Sequence, residues 1–182
     1  MMALFSMSSL IIFPPDFSNT YPVYSPNLVM LCEFGMAMYI GGLTLLGIKL
    51  AEEKQTMAAA GFTMLAISTG VTAVSFLEIA QIVSEETYIQ FYYVFASGNF
   101  LFIPAMLLIS TYAAFRKWIR IIGLVAAIPL LTSSFLFLFG SRNFHMLENI
   151  SNTGFMLMFF TQLLWAYNVL INYKQKVKHI LQ

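Results

Sequence analysis

LVMLCEFGMAMYIGGLTLLGIKL, residues 28–50, decides the fold. Apart from Glu33 and Lys49 it carries no charged side chain. A helix needs about 20 predominantly apolar residues to cross about 30 Å of hydrocarbon. The apolar positions run on without the every-second-residue alternation of a barrel strand, so the stretch reads as a spanning helix. Four further runs have the same character: Met57–Val83, Tyr88–Phe115, Trp118–Gly140 and Met146–Tyr173. The longer ones must tilt, kink or project past the headgroups.

Composition agrees. The chain has 182 residues, 59% hydrophobic and 9% charged, where a soluble domain has about 25% charged residues. Its mean hydropathy is +0.79. That leaves too little polar surface to coat a water-soluble globule, and the class is a polytopic membrane protein. The expected fold is an all-α integral membrane bundle of five transmembrane helices. Residues 1–27 form a short external arm, 28–173 the transmembrane domain, and 174–182 a basic cytoplasmic tail. The opening MMALFSMSSLIIF lacks a basic flank and runs into Pro14-Pro15, so it reads as an interfacial or re-entrant arm rather than a signal peptide. Short connections make successive helices antiparallel neighbours.

Charge sets the direction. With five crossings, Lys49, Lys54, Arg116, Lys117, Arg120, Lys174, Lys176 and Lys178 share one side, and only Arg142 lies on the other. The positive-inside rule makes the crowded side cytoplasmic, with the N-terminus outside. Tyr21, Tyr24 and Tyr88 then fall at the outer interface, and Tyr112, Trp118 and Tyr173 at the inner one. The expected location is a bacterial inner (plasma) membrane. Small residues four apart, Ala37 with Gly41 and Ala66 with Gly70, and the run Ala58-Ala59-Ala60-Gly61 predict close helix packing. Pro104 and Pro129 predict kinks in the third and fourth spans.

Against that background Glu33 stands out. It lies about 7–8 Å below the outer end of its span, and Glu78 lies at a similar depth on the next helix. Other polar groups share that level. His145, Glu148, Asn149 and Asn152 are spaced by three or four and so share a helix face. Tyr92, Tyr93, Ser133 and Ser134 fall near the same height. Ser75, Thr72 and Ser68 continue a polar stripe downward, and Asn99 lies near mid-membrane. The inner halves of the helices offer few polar side chains. An ionised carboxylate within a membrane costs at least a few kcal/mol and is functional by default. Three states relieve that cost: protonation, a cation such as Arg142, or a bound metal or cationic ligand.

Each state implies a function. Protonated Glu33 and Glu78 lock helices together and need no ligand. His145, Glu148, Glu33 and Glu78 offer one nitrogen and three carboxylates, which suits a single zinc with an open position and falls short of a di-iron set. Glu33, Glu78, Tyr92, Tyr93, Ser133, Ser134, Arg142 and Asn152 line an outward-facing pocket for an amphiphilic small molecule, a lipid, or a partner membrane subunit that supplies a cation. The pocket is the favoured reading, and it is non-catalytic. The alternatives are a membrane-embedded enzyme using Glu33 and Glu78 as acid and base, and a proton-coupled transporter, which the lack of an inverted repeat weakens. Haem is not expected, because His145 and His179 fall on opposite sides. Retinal is not expected, because no lysine lies deep in a span. No nucleotide motif or hydrolase elbow occurs. A net charge of +1 gives no field for nucleic acid. Cys32 is the sole cysteine, which excludes an intrachain disulfide.

Overall fold

The apolar runs fold as helices in the computed structural model, which describes residues 26–79, 85–112 and 115–180. Side chains at 26–29, 31, 32, 76–79, 85, 144, 145, 169, 170 and 172–180 lie outside the description, as do the N-terminal arm with Tyr21 and Tyr24 and the last two residues. The described chain is all-α, with five helices: α1 Pro26–Glu52, α2 Thr56–Ile79, α3 Glu85–Ile109, α4 Lys117–Leu138 and α5 Phe144–Ile180. Helices α1 to α4 are each long and apolar enough to cross a membrane. Each helix packs on its neighbour in sequence, most extensively α2 on α3.

The boundaries have local causes. Pro26 opens α1, where a missing backbone N–H costs nothing. Asn143 caps α5, its Oδ1 accepting from the Met146 N–H at 3.1 Å. Helices α1 and α4 end in the same hydrogen-bonded loop. In the first, the Gln55 and Lys54 N–H groups donate to Leu50 O at 2.8 Å and Ala51 O at 3.0 Å. In the second, those of Ser141 and Gly140 donate to Leu136 O at 2.9 Å and Phe137 O at 3.0 Å. The loop needs one residue in the left-handed region, supplied by Gly140 (φ 95°) and, at greater steric cost, by Lys54 (φ 61°). The third apolar run stops short of its expected end at Phe115. The Ser110 and Thr111 hydroxyls bond back to Leu107 O and Leu108 O at 2.6 Å, and the chain turns there.

Apolar side chains fill the core, as in a soluble bundle, but they also cover the outside. Large apolar side chains cover the outside: Phe139 is 85% exposed, Met30 and Leu45 69% each. Ser68, Ser75, Asn99, Ser133, Ser134, Ser151, Thr161 and Gln162 are buried inside. A helix that is apolar on its solvent-facing side belongs in lipid. In such a solvent, small residues and interhelical hydrogen bonds hold helices together. Both are present. A Cβ at Gly61 would lie 2.7 Å from the Ile109 backbone nitrogen and 2.9 Å from Ala105 O, and one at Gly98 would lie 3.1 Å from Ser68 O. Helices α2 and α3 thus meet backbone to backbone at two levels. Ala66 is buried, and Gly70 faces Ile40 of α1. Ala37 and Gly41 differ from the expectation: Ala37 is exposed, and nothing lies within 4 Å of a Cβ at Gly41. That pair faces away from α2.

Helix α5 is the longest at 37 residues, about 55 Å. Its Trp165 ring stacks on Phe115, just before α4, at 5.7 Å. Fifteen further residues therefore carry the helix about 22 Å beyond that level. Residues 174–180 of the expected tail continue α5 as helix.

Candidate functional site

Register places the three acids. Gly70 faces Ile40, and Gly47 faces Thr63, with a built Cβ 3.1 Å from its Oγ1. Seven residues back from Ile40 along α1 is Glu33, and seven on from Gly70 along α2 is position 77. The backbones at Glu33 and Glu78 therefore come within a residue of the same height. Helices α2 and α3 pair Gly98 with Ser68 and Thr72, and Gly61 with Ala105 and Ile109, which sets 78 opposite about 90. Helices α3 and α5 run parallel, with Tyr88 bonded to Glu148 and Phe95 beside Phe155. Glu33, Glu78 and Glu148 thus lie within about one helical turn, ~5 Å, of a common level.

Glu148 is the acid whose surroundings are best defined. It is buried, and the phenol of Tyr88, also buried, donates to its Oε1. The Tyr88 ring is edge-on to Tyr92 at 5.3 Å and stacks on Phe91 at 6.0 Å. Tyr92 packs in turn against Phe137 at 5.1 Å. Glu33 is half-buried, and its Oε1 is enclosed with no hydrogen-bond partner among the described residues. The side chains of Glu78 and His145 lie outside the description. Among the described residues no three His, Cys, Asp or Glu side chains group as metal ligands.

The other expected site residues divide. Ser133 and Ser134 are buried and engaged: Ser151 Oγ donates to Ser133 Oγ at 2.9 Å, and Asn99 Nδ2 donates to Ser134 Oγ at 3.1 Å. Both serines also donate to Leu130 O at 2.9 Å. Ser68 Oγ donates to Gly98 O at 2.8 Å. Together these bonds make a transverse polar band through α2, α3, α4 and α5. Asn152 is half-buried beside Ser151. Tyr92 is inside, but Tyr93 is 51% exposed on the outer side of α3, edge-on to Phe137. Arg142 is exposed and folds back on the end of α4. It donates to Phe137 O at 3.1 Å and Ser141 O at 3.2 Å, and lies over the Phe137 ring at 4.9 Å. The one ion pair among the described residues is Lys49 with Glu53, at the opposite end.

Several participants escape sequence reasoning. Tyr88 reads as an interface aromatic, and only the α3–α5 pairing brings it to Glu148. Ser151 lies on the face already marked by Glu148, so spacing of three could have found it. Beyond the band, α5 buries Thr161, Gln162 and Asn168, so that half of the bundle is more polar inside than the sequence suggests. Gln162 Nε2 donates to Tyr39 OH at 2.8 Å, which ties the last helix to the first.

No family model, no curated protein and no solved structure matches this chain. Four of its helices have the length and apolar character of membrane-spanning segments.

Proposed function

We propose that the chain is a small polytopic membrane protein with a ligand-receiving polar pocket in its outer half. The basic end faces the cytoplasm, the N-terminus lies outside, and α5 completes a fifth crossing. Its polar residues turn inward along one face, which lets an otherwise less apolar helix sit in a bundle. The role is non-catalytic. The pocket holds an amphiphile, a lipid headgroup, or the cationic group of a partner subunit. One observation carries this reading: Glu148 is buried at the level of Glu33 and Glu78, beside a band of hydroxyl and amide groups from four helices. Helix locking alone needs no acid, because serine, asparagine and glutamine already bridge the helices here.

Native mass spectrometry, with elemental analysis, on the mildly extracted full chain tests the reading. The expected spectrum shows a retained small molecule, lipid or partner chain that is depleted in Glu33→Gln and Glu148→Gln. A bare chain, indistinguishable from both variants, would contradict it. Stoichiometric zinc lost with His145→Ala would favour the enzyme reading instead.

A further inference from the structure

We propose that the start of α4 is a binding surface for an anionic phospholipid. The proposal stands apart from the outer pocket and concerns the opposite end of the bundle. It starts from a cluster of charge. Arg116, Lys117 and Arg120 place three cations within five residues, and Arg116 and Lys117 are exposed. Arg120 folds back on the chain, its Nε donating to Phe115 O at 2.7 Å. The acids at this end are Glu52 and Glu53, where α1 closes, and Glu53 pairs with Lys49 at 3.7 Å. Every other acid in the described helices, Glu33, Glu78, Glu85, Glu86 and Glu148, lies toward the opposite end. Among the described residues no ion pair engages Arg116 or Lys117.

What lies beside the charge names the partner. Trp118 is exposed next to Lys117, and beyond it Ile121, Val125 and Ile128 are exposed in turn, three or four residues apart. They make one apolar stripe along α4, a helix long and apolar enough to cross a bilayer. Acyl chains are the partner of such a stripe, and a tryptophan at its end sits at headgroup level. A headgroup at that level meets two exposed cations and the first turn of α4, which no side chain caps and whose N–H groups carry partial positive charge. A phosphodiester answers all three: guanidinium and backbone N–H groups donate to its oxygens, and an ammonium pairs with its charge. A zwitterionic headgroup brings a cation of its own into this cluster, so the surface favours a lipid of net negative charge.

Trp118 reports on the site directly. The full chain is reconstituted in phosphatidylcholine vesicles containing a minor fraction of lipid with brominated acyl chains, which quench an adjacent indole. Trp165, the other tryptophan, is buried and supplies a constant background. Both leaflets carry the same lipids, so the result does not depend on which way the chain inserts. Brominated phosphatidylglycerol should quench more than brominated phosphatidylcholine, with a relative affinity about fivefold or more in its favour, the worth of one near-surface charge. Arg116→Gln combined with Lys117→Gln should bring that ratio to within about twofold of parity. In the unaltered chain, molar sodium chloride should narrow it as well. Arg142→Gln, at the other end of the bundle, should leave it in place. Equal quenching by the two lipids, a ratio that survives the double substitution or molar salt, or one lost equally in Arg142→Gln would overturn the proposal. Displacement of the lipid by millimolar inorganic phosphate would also overturn it, because that would define a site for a small anion and not a lipid surface.

Discussion

Lys54 occupies a position better suited to glycine. Its φ of 61° closes the loop after α1 just as Gly140 closes the one after α4. A left-handed non-glycine residue costs roughly 1–2 kcal/mol. Lys54→Gly should therefore raise the melting temperature in detergent, and Lys54→Val should lower it; the reverse order would show that the loop is not held as described. Lys54 also belongs to the basic end from which the proposed orientation is read, and that role would give a reason for tolerating the strain. Buried polar bonds act at the same scale. Asn99→Leu removes the donor to Ser134 and should destabilise by about 0.6–1.7 kcal/mol, read as a shift in the unfolding midpoint. Sequence reading located Glu33, Glu78, Glu148 and Asn99, because a polar group in an apolar run is conspicuous. It did not give the hydrogen-bond partners of Glu148 and Asn99, which are Tyr88 and Ser134. Which hydroxyl meets which amide depends on register across helices, and Tyr88 with Glu148, 60 residues apart, has no local signal.

Among elements, α2 and α3 are the tightest pair. A methyl at Gly61 meets the backbone of α3 at 2.7 and 2.9 Å, and a helix backbone does not yield as a flexible side chain does. Gly61→Ala should cost about 1–3 kcal/mol. Gly41→Ala, with open space around it, should cost nothing measurable. Equal losses in thermal melts of the two variants would contradict the α2–α3 approach. The helices were legible in the sequence because continuous apolar runs of this length have few alternatives. Their ends were less so. The third run stops before Phe115 because serine and threonine hydroxyls draw the chain into a turn. Helix α5 continues to Ile180 because nothing in KQKVKHI breaks a helix. The small pair Ala37 and Gly41 misled for a physical reason: spacing marks a face but does not say what lies against it.

For the whole molecule, an apolar exterior around a core that also holds polar groups favours lipid as the solvent. Exposed phenylalanines, leucines and isoleucines encircle a core that holds serines, amides and a glutamate. The basic end, with Lys49, Lys54, Arg116 and Lys117, predicts the direction of insertion. In a Cys32→Ser background, a cysteine at 142 should react with an impermeant maleimide on intact cells, and one at 117 only after permeabilisation. The opposite pattern would invert the topology and place the acid level in the cytoplasmic half. The central claim is that the acids of neighbouring helices converge inside the bundle. Cross-linking tests it most directly, with Glu33→Cys and Glu78→Cys combined in the Cys32→Ser chain and treated in native membranes with a short bifunctional thiol reagent. Rapid intramolecular cross-linking is predicted, with little when Ala37→Cys replaces Glu33→Cys. A pair at 33 and 78 that stays open while 37 and 78 join would place the carboxyl groups apart and remove the pocket.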